Sequence, residues 1–251
     1  MNDLVVVTRP EPEASQLVNW LAKHQIKAMA LPLLTCQALE PKAQAEQLAT
    51  MQSWIMHKSF IDAVIFISKR SVRYGLSCLD EAARTSPMFA IGQATAQALM
   101  DEGVESSFAH QFDSEHLLEF LKQREMSWQG KRVLLVKGLG GRTHLREGLL
   151  ALGADVHELC CYQRLPTESL DFRPLWQAHN AKNNIWLLLT SGAALDNLVR
   201  FSTAMLREVC SVWVLSPRLE AMARRHGFRQ VEVLSMPIPE HILQRLQTQQ
   251  N

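Results

Sequence analysis

Apolar runs along the 251-residue chain end repeatedly on small hydroxyl residues, glycines and cations. Thr8 and Arg9 follow residues 4–7, Ser68 and Lys69 follow 63–67, and Gly92 to Thr95 follow 89–91. Lys137, Gly138 and Arg142 follow 133–136, Thr190 and Ser191 follow 185–189, and Ser216 follows 212–215. In open α/β sheets ligands sit beyond the carboxyl ends of the strands. Helix N-termini there offer free N–H groups to anions. Hydroxyls and a few cations at many such turns suit a ligand carrying several carboxylates. Taken singly, each Ser, Thr or Gly is read equally well as a cap or turn residue. Tyr162 is one of two tyrosines. It is either a hydroxyl facing a cleft between lobes or an amphipathic packing residue at their interface. Lys69, Arg70 and Arg73 form a basic cluster, either anion-facing or a solvated helix start.

Other chemistries lack their residues. There is no GxSxG elbow and no His/Asp pairing that marks a nucleophile. The nine histidines show no HExxH or HxxxH spacing, so no metal site is expected. The nearest dinucleotide turn, Gly138-Leu139-Gly140-Gly141-Arg142-Thr143, has threonine at its last position. Where an acidic residue should close the unit, the chain reads Cys160-Cys161-Tyr162. Lys and Arg number 26 against 25 Asp and Glu, a net charge of +1 that argues against nucleic-acid or membrane-surface binding. Five cysteines form no CxxC pair, as for reduced thiols in a cytosolic protein. No apolar run approaches the ~20 residues of a membrane span. The opening MNDLVVV has no basic n-region. A cytoplasmic protein is expected.

The elements that position the strand-end residues follow from periodicity. Short continuous apolar strands alternate with amphipathic stretches, which predicts parallel sheets covered by helices on both faces, the α/β class. Residues 28–34 read as the second strand. Gly103, Gly153 and Gly227 sit where helices end, and Ser114 and Pro239 where short helices begin. Gly92 to Gly103 and Ser216 to Gly227 both span 11 positions. FISKRSV matches LLTSGAA in position, and VVVTRP matches VLLVKG. Two copies of one strand–turn–helix programme account for this. Stretches near 35–41 and 159–166 read as linkers.

These residues resemble uroporphyrinogen-III synthases. VVVTRPEPEASQLVNWLAKHQIKAMALPLL is similar to that family's strand–TRP–helix opening. AIGQATAQAL, VLLVKGLGGRTHLREGLLALGADVHELCCYQRLP and TSGAALDNL resemble its later segments, in order and at matching spacing from about Leu4 to Leu246. The resemblance implies two lobes, each a parallel sheet flanked by helices, joined by a two-stranded β linker. One lobe would hold 1–35 with 165–251, the other 36–164 with the linker strands. It implies a lyase that closes hydroxymethylbilane to uroporphyrinogen III, inverting ring D with loss of water, in haem synthesis. It implies a monomer with no cofactor and no metal, whose partner is this small-molecule substrate and not nucleic acid or membrane. Tyr162 matches a tyrosine that assists loss of the hydroxyl, and Thr95 a cleft threonine. Ser68, Ser191, Arg9, Lys137, Gly138 and Arg142 match turns lining the cleft. The family's second-lobe "IGP-x-TA" departs here to Ser216 and Leu219. Those departures leave open a non-catalytic module binding tetrapyrroles or other polyanions.

Overall fold

The computed structural model describes residues 3–56, 60–109, 114–123, 127–141, 143–234 and 239–248. In chain order the elements begin β1 (Asp3–Val7), α1 (Glu13–Lys23), β2 (Lys27–Ala30), β3 (Leu34–Ala38), α2 (Pro41–Met56), β4 (Ala63–Phe66), α3 (Lys69–Gly75) and α4 (Glu81–Arg84). There follow β5 (Met88–Ala90), α5 (Gln93–Asp101), β6 (Ser107–Phe108), α6 (Ser114–Lys122), β7 (Arg132–Gly138), α7 (His144–Ala151) and β8 (Asp155–Pro166). The chain ends with α8 (Arg173–Asn180), β9 (Asn184–Leu189), α9 (Gly192–Phe201), α10 (Ala204–Val209), β10 (Cys210–Val214), α11 (Pro217–Arg225), β11 (Val231–Val233) and α12 (Pro239–Thr248).

Two compact units result: Met1–Cys36 with Leu165–Asn251, and Gln37–Arg164. The first holds a five-stranded sheet ordered β11-β10-β9-β1-β2. A six-stranded sheet is ordered β3-β8-β7-β4-β5-β6. Within the first sheet every pairing is parallel, as are the pairings from β8 through β6 in the second. The chain passes between the units within β3 and within β8. There Leu39 N donates to Cys161 O at 3.4 Å and Thr35 Oγ1 to Leu165 O at 3.5 Å.

Alternation along each strand feeds opposite faces. Val5, Val7, Trp186, Leu188 and Trp213 pack with Leu17 and Leu21 of α1 and with Ile242 and Leu246 of α12. Val6, Leu187, Val212 and Val214 pack on the other face with Leu195 and Leu198 of α9 and Leu219 of α11. In the second unit Ala63, Ile65, Val133 and Leu135 meet Leu117 and Leu121 of α6 and Leu145 and Leu149 of α7. Each fully buried Leu or Val contributes roughly 1.5–3 kcal/mol, so both sheets are held by two-sided burial.

The sheets share one topology. In the second unit the strands taken as β4, β5, β6, β7, β8 lie in the order fifth, fourth, first, second, third. Beginning the first unit at β9 and ending on β1 and β2 gives the same order. The two are related by circular permutation, and the matched sequence pieces fall on equivalent strands: β4 with β9, and β7 with β1.

Residues 28–34 do not form one strand. Pro32 has no N–H for the ladder, and the chain breaks between β2 and β3. Leu31 N still donates to Val7 O at 2.9 Å and Leu33 N to Thr8 O at 3.2 Å, so the break stays bound to β1. Pairing along β7 starts β8 at Asp155, ahead of the linker expected near 159–166, and makes it twelve residues long.

A buried arginine docks α2. Arg132 lies in β7 with its guanidinium 3.9 Å from the Trp54 ring centroid. Its Nη2 donates to Trp54 O, and its Nη1 to Ile55 O at 3.4 Å, capping carbonyls at the end of α2. Trp54 Nε1 donates to both carboxylate oxygens of Asp155, at 3.2 and 3.1 Å. His157 stacks on Trp54 at 5.2 Å, with its Nε2 buried and unpartnered. Burial lowers the His157 pKa below 6.5, against the carboxylates of Asp155 and Glu158 and with the help of Arg132. The neutral ring is the folded form, so its contribution is present above pH 6.5 and is lost as pH falls from there. Urea midpoints at pH 7 and about pH 5 test this. The acid-side loss is smaller in His157→Phe than in the parent; an equal loss in both contradicts it.

Candidate functional site

Two-sided burial leaves polar groups to collect at the strand ends, and each sheet has one place where neighbouring strands send their helices to opposite faces. In the first unit it lies between β1 and β9, since α1 packs with Val5 and Val7 but α9 with Val6 and Leu187. In the second it lies between β4 and β7. There α7 packs with Ile65 and Leu135. Gly75 of α3 lies against Val136, which points to the face opposite Leu135. Such switch points open a crevice beyond the carboxyl ends of the strands.

In the second unit the structure brings Ser68, Gly138 and Tyr162 together. Ser68 is the N-cap of α3 and shares a capping box with Ser71. Its Oγ accepts from Ser71 N at 3.0 Å, and its own N–H donates to Ser71 Oγ at 3.0 Å. The Ser68 and Tyr162 hydroxyls are 3.3 Å apart. The Tyr162 ring stacks on Tyr74 at 5.7 Å and is only 1% exposed. It also lies flat over Gly138: a Cβ there would fall 2.5 Å from Tyr162 Cζ. Leu139 N donates to Tyr162 O at 2.7 Å, locking the end of β7 to β8. The glycine therefore makes room for a tyrosine. Further along this turn, at Gly140 and Gly141 with φ of 72° and 89°, the backbone itself calls for glycine. Arg142 lies outside the described residues.

The remaining predicted residues divide by whether their polar atoms stay inside the sheet. Lys137 is 5% exposed and its Nζ binds Glu158 Oε1 at 2.8 Å. Thr8 is 1% exposed and its Oγ1 donates to Leu188 O at 2.5 Å, tying β1 to β9. Both brace strand ends from within. Lys69 is exposed at the start of α3. Arg9 is partly buried beside Glu13, and burial lowers its pKa. Thr190 is half-buried and precedes Ser191, which caps α9 by accepting from Ala194 N at 3.2 Å.

Gly92 and Ser216 occupy equivalent turns, after β5 and β10. Their φ values, −179° and −163°, are extended conformations open to any residue. Ser216 is therefore accommodated without strain, and its Oγ accepts from Leu219 N at 3.3 Å. Such a cap contributes about 0.5–2 kcal/mol. Three positions on, Thr95 and Leu219 are each 4% exposed, and Leu219 belongs to the core of its unit.

Sequence reasoning missed Ser71, Tyr74 and Arg164. Arg164 Nη2 donates to Tyr162 OH at 3.4 Å. The signal was present: residues two apart on a strand share a face. A cavity of about 450 Å3 within the first unit is lined by Glu11, Thr35, Cys36, Thr167 and Asp171, among others, and by none of the predicted residues. Its Asp171 is held at about 2 by hydrogen bonds from Arg173, which pairs with the carboxylate at 2.7 Å. Burial pushes Cys161 and Cys210 up to about 12, so they pack as protonated thiols. Among the described residues no group of three His, Cys, Asp or Glu could hold a metal ion.

A family model for uroporphyrinogen-III synthase HemD matches residues 15–244. The chain belongs to the uroporphyrinogen-III synthase family. Across 97% of its length it is 30% identical to the uroporphyrinogen-III synthase of Salmonella typhimurium, covering 99% of that protein. It is 29% identical to that of Escherichia coli, with the same coverage of each. Crystal structures of uroporphyrinogen-III synthetase from Helicobacter pylori and a mutant uroporphyrinogen III synthase from Thermus thermophilus share its fold. Their TM-scores are 0.59 and 0.57, at 16% identity and over 98% of this chain. The α/β fold with helix-flanked parallel sheets is thus that of the uroporphyrinogen-III synthase family, whose named members are enzymes of haem biosynthesis.

The fit of Gly138 against Tyr162 is testable without substrate. Gly138→Ala destabilises the protein by about 1–3 kcal/mol in urea unfolding, and by clearly less in a Tyr162→Leu background. Equal losses in the two backgrounds contradict the contact.

Proposed function

We propose that this chain is a lyase that closes linear hydroxymethylbilane to uroporphyrinogen III, with inversion of ring D and loss of water. Full-length membership of the synthase family supports the reaction. The observation that carries it into the structure is the hydroxyl pair Ser68–Tyr162, seated at a strand-end switch point. The substrate has eight carboxylates. Turns at Ser68, Gly92, Ser191 and Ser216 offer helix N-terminal amides to them, with Lys69, Arg9 and Arg142 as cations and Thr95 and Thr190 alongside. Thr8, Lys137 and Gly138 hold these turns in place from inside the sheets.

The bilane ionises readily, so the protein's task is positioning. It must hold the chain so that inverted closure outruns uninverted closure. That selection is met by shape and amide donors, and only loss of the hydroxyl calls for a proton. The two units serve as the two lobes, joined through β3 and β8. The reading includes a monomeric cytoplasmic enzyme needing no cofactor. The net charge of +1 argues against nucleic-acid or membrane-surface partners, and among the described residues no helix is long and apolar enough to cross a membrane.

A non-catalytic polyanion-binding module rests only on Ser216 and Leu219. Ser216 caps α11 and Leu219 joins the core, so both residues have a structural role that calls for no separate binding function. Fresh hydroxymethylbilane incubated with purified protein and then oxidised separates the readings by product chromatography. Mostly isomer III is expected. Isomer I at the ratio seen without protein overturns the proposal, and tight substrate binding with that same ratio favours the module.

A further inference from the structure

We infer that Ser68, rather than Tyr162, hands the proton to the departing hydroxyl, acting as the outer end of a relay Arg164–Tyr162–Ser68. The inference rests on the reaction proposed above. Burial and donor counting carry it. Tyr162 is 1% exposed, so its phenol hydrogen must be given to a protein partner. Arg164 can only donate, and it donates to Tyr162 OH at 3.4 Å. The acceptor left for the phenol is Ser68 Oγ, at 3.3 Å. Ser68 Oγ already accepts from Ser71 N at 3.0 Å. With the phenol as second donor both of its lone pairs are filled, and its own O–H hydrogen is directed away from Ser71 and Tyr162. Ser68 is half-buried at the carboxyl end of β4, whereas the phenol is covered.

The transfers balance. The substrate's hydroxymethyl C–O bond breaks, and its electron pair stays on the oxygen. That oxygen takes the Ser68 hydrogen and leaves as water. Ser68 Oγ takes the phenol hydrogen, so Tyr162 becomes a phenolate. The Arg164 guanidinium stabilises that charge by a charge-assisted hydrogen bond. Among the described residues no carboxylate pairs with Arg164, so its charge is available. After ring closure the pyrrole carbon loses its hydrogen as a proton. This returns through Ser68 to Tyr162, restoring the starting state.

Steady-state kinetics on Ser68→Asn, Tyr162→Phe and the double variant test the relay. Asparagine keeps the cap on α3 but cannot pass a proton on. Each single variant is expected to lower kcat by about 10- to 100-fold with KM little changed, and Ser68→Thr to restore most of the rate. The double variant is expected to be no slower than the slower single one, because either change cuts the same wire. Arg164→Gln is expected to lower kcat, with partial recovery in Arg164→Lys. A Tyr162→Phe loss beside a fully active Ser68→Asn, or losses that multiply in the double variant, overturns the relay. A rise in KM alone for Arg164→Gln overturns the part given to Arg164. If the parent protein makes isomer III throughout, these failures touch the relay alone. A parent making only isomer I removes the reaction as well.

Discussion

Covering a parallel sheet on both faces confines its chemistry to the strand ends. Val5, Val6 and Val7 illustrate it: successive side chains enter opposite cores, and at the carboxyl end polar side chains resume only after the strand, at Thr8 and Arg9. The same constraint places Ser68, Gly92, Gly138, Ser191 and Ser216 on turns at strand ends. Where adjacent strands send helices to opposite faces, those turns border a crevice. The candidate site is thus a consequence of how the cores are closed. Thr8 and Lys137 show how tightly the two are linked, because polar side chains at the same strand ends are used to brace the sheets.

Circular permutation explains why the repeat is visible in the sequence only as scattered pieces. The second unit is read continuously from β4 to β8, whereas the first is read from β9 to β11 and then from β1 to β2. Equivalent turns diverged without disturbing the frame. Gly92 and Ser216 both adopt an extended conformation that makes no demand for glycine, so replacement added a cap. Thr95 and Leu219 fill equally buried positions, one keeping a hydroxyl and the other joining the core.

Strands such as β4, β7 and β9 were legible because two-sided burial writes continuous apolar runs. The left-handed glycines Gly103, Gly153 and Gly227 were legible because that conformation selects the residue. The break at Pro32 was not, because apolar residues continue on both sides of it. The full length of β8 was not, because its first half, Asp155 to Cys160, is neither a continuous apolar run nor a regular alternation, and its pairing with β7 is a tertiary fact. At the site, residue types and turns could be read, but partners could not. Gly138 was legible as a strand-end turn, but not the reason for the glycine: the Tyr162 ring occupies the space a Cβ would need. Lys137 looked like a ligand cation until Glu158 was found beside it.

The central claim is that strand-end amides bind the polycarboxylate substrate proposed above. Amide NMR of labelled protein titrated with an unreactive bilane, bearing methyl in place of hydroxymethyl, tests it most directly. The account predicts the largest shifts at the first-turn amides of Lys69, Gln93, Gly192 and Arg218. Shifts gathered at the amino ends of the strands, or confined to the cavity around Thr167, would contradict it.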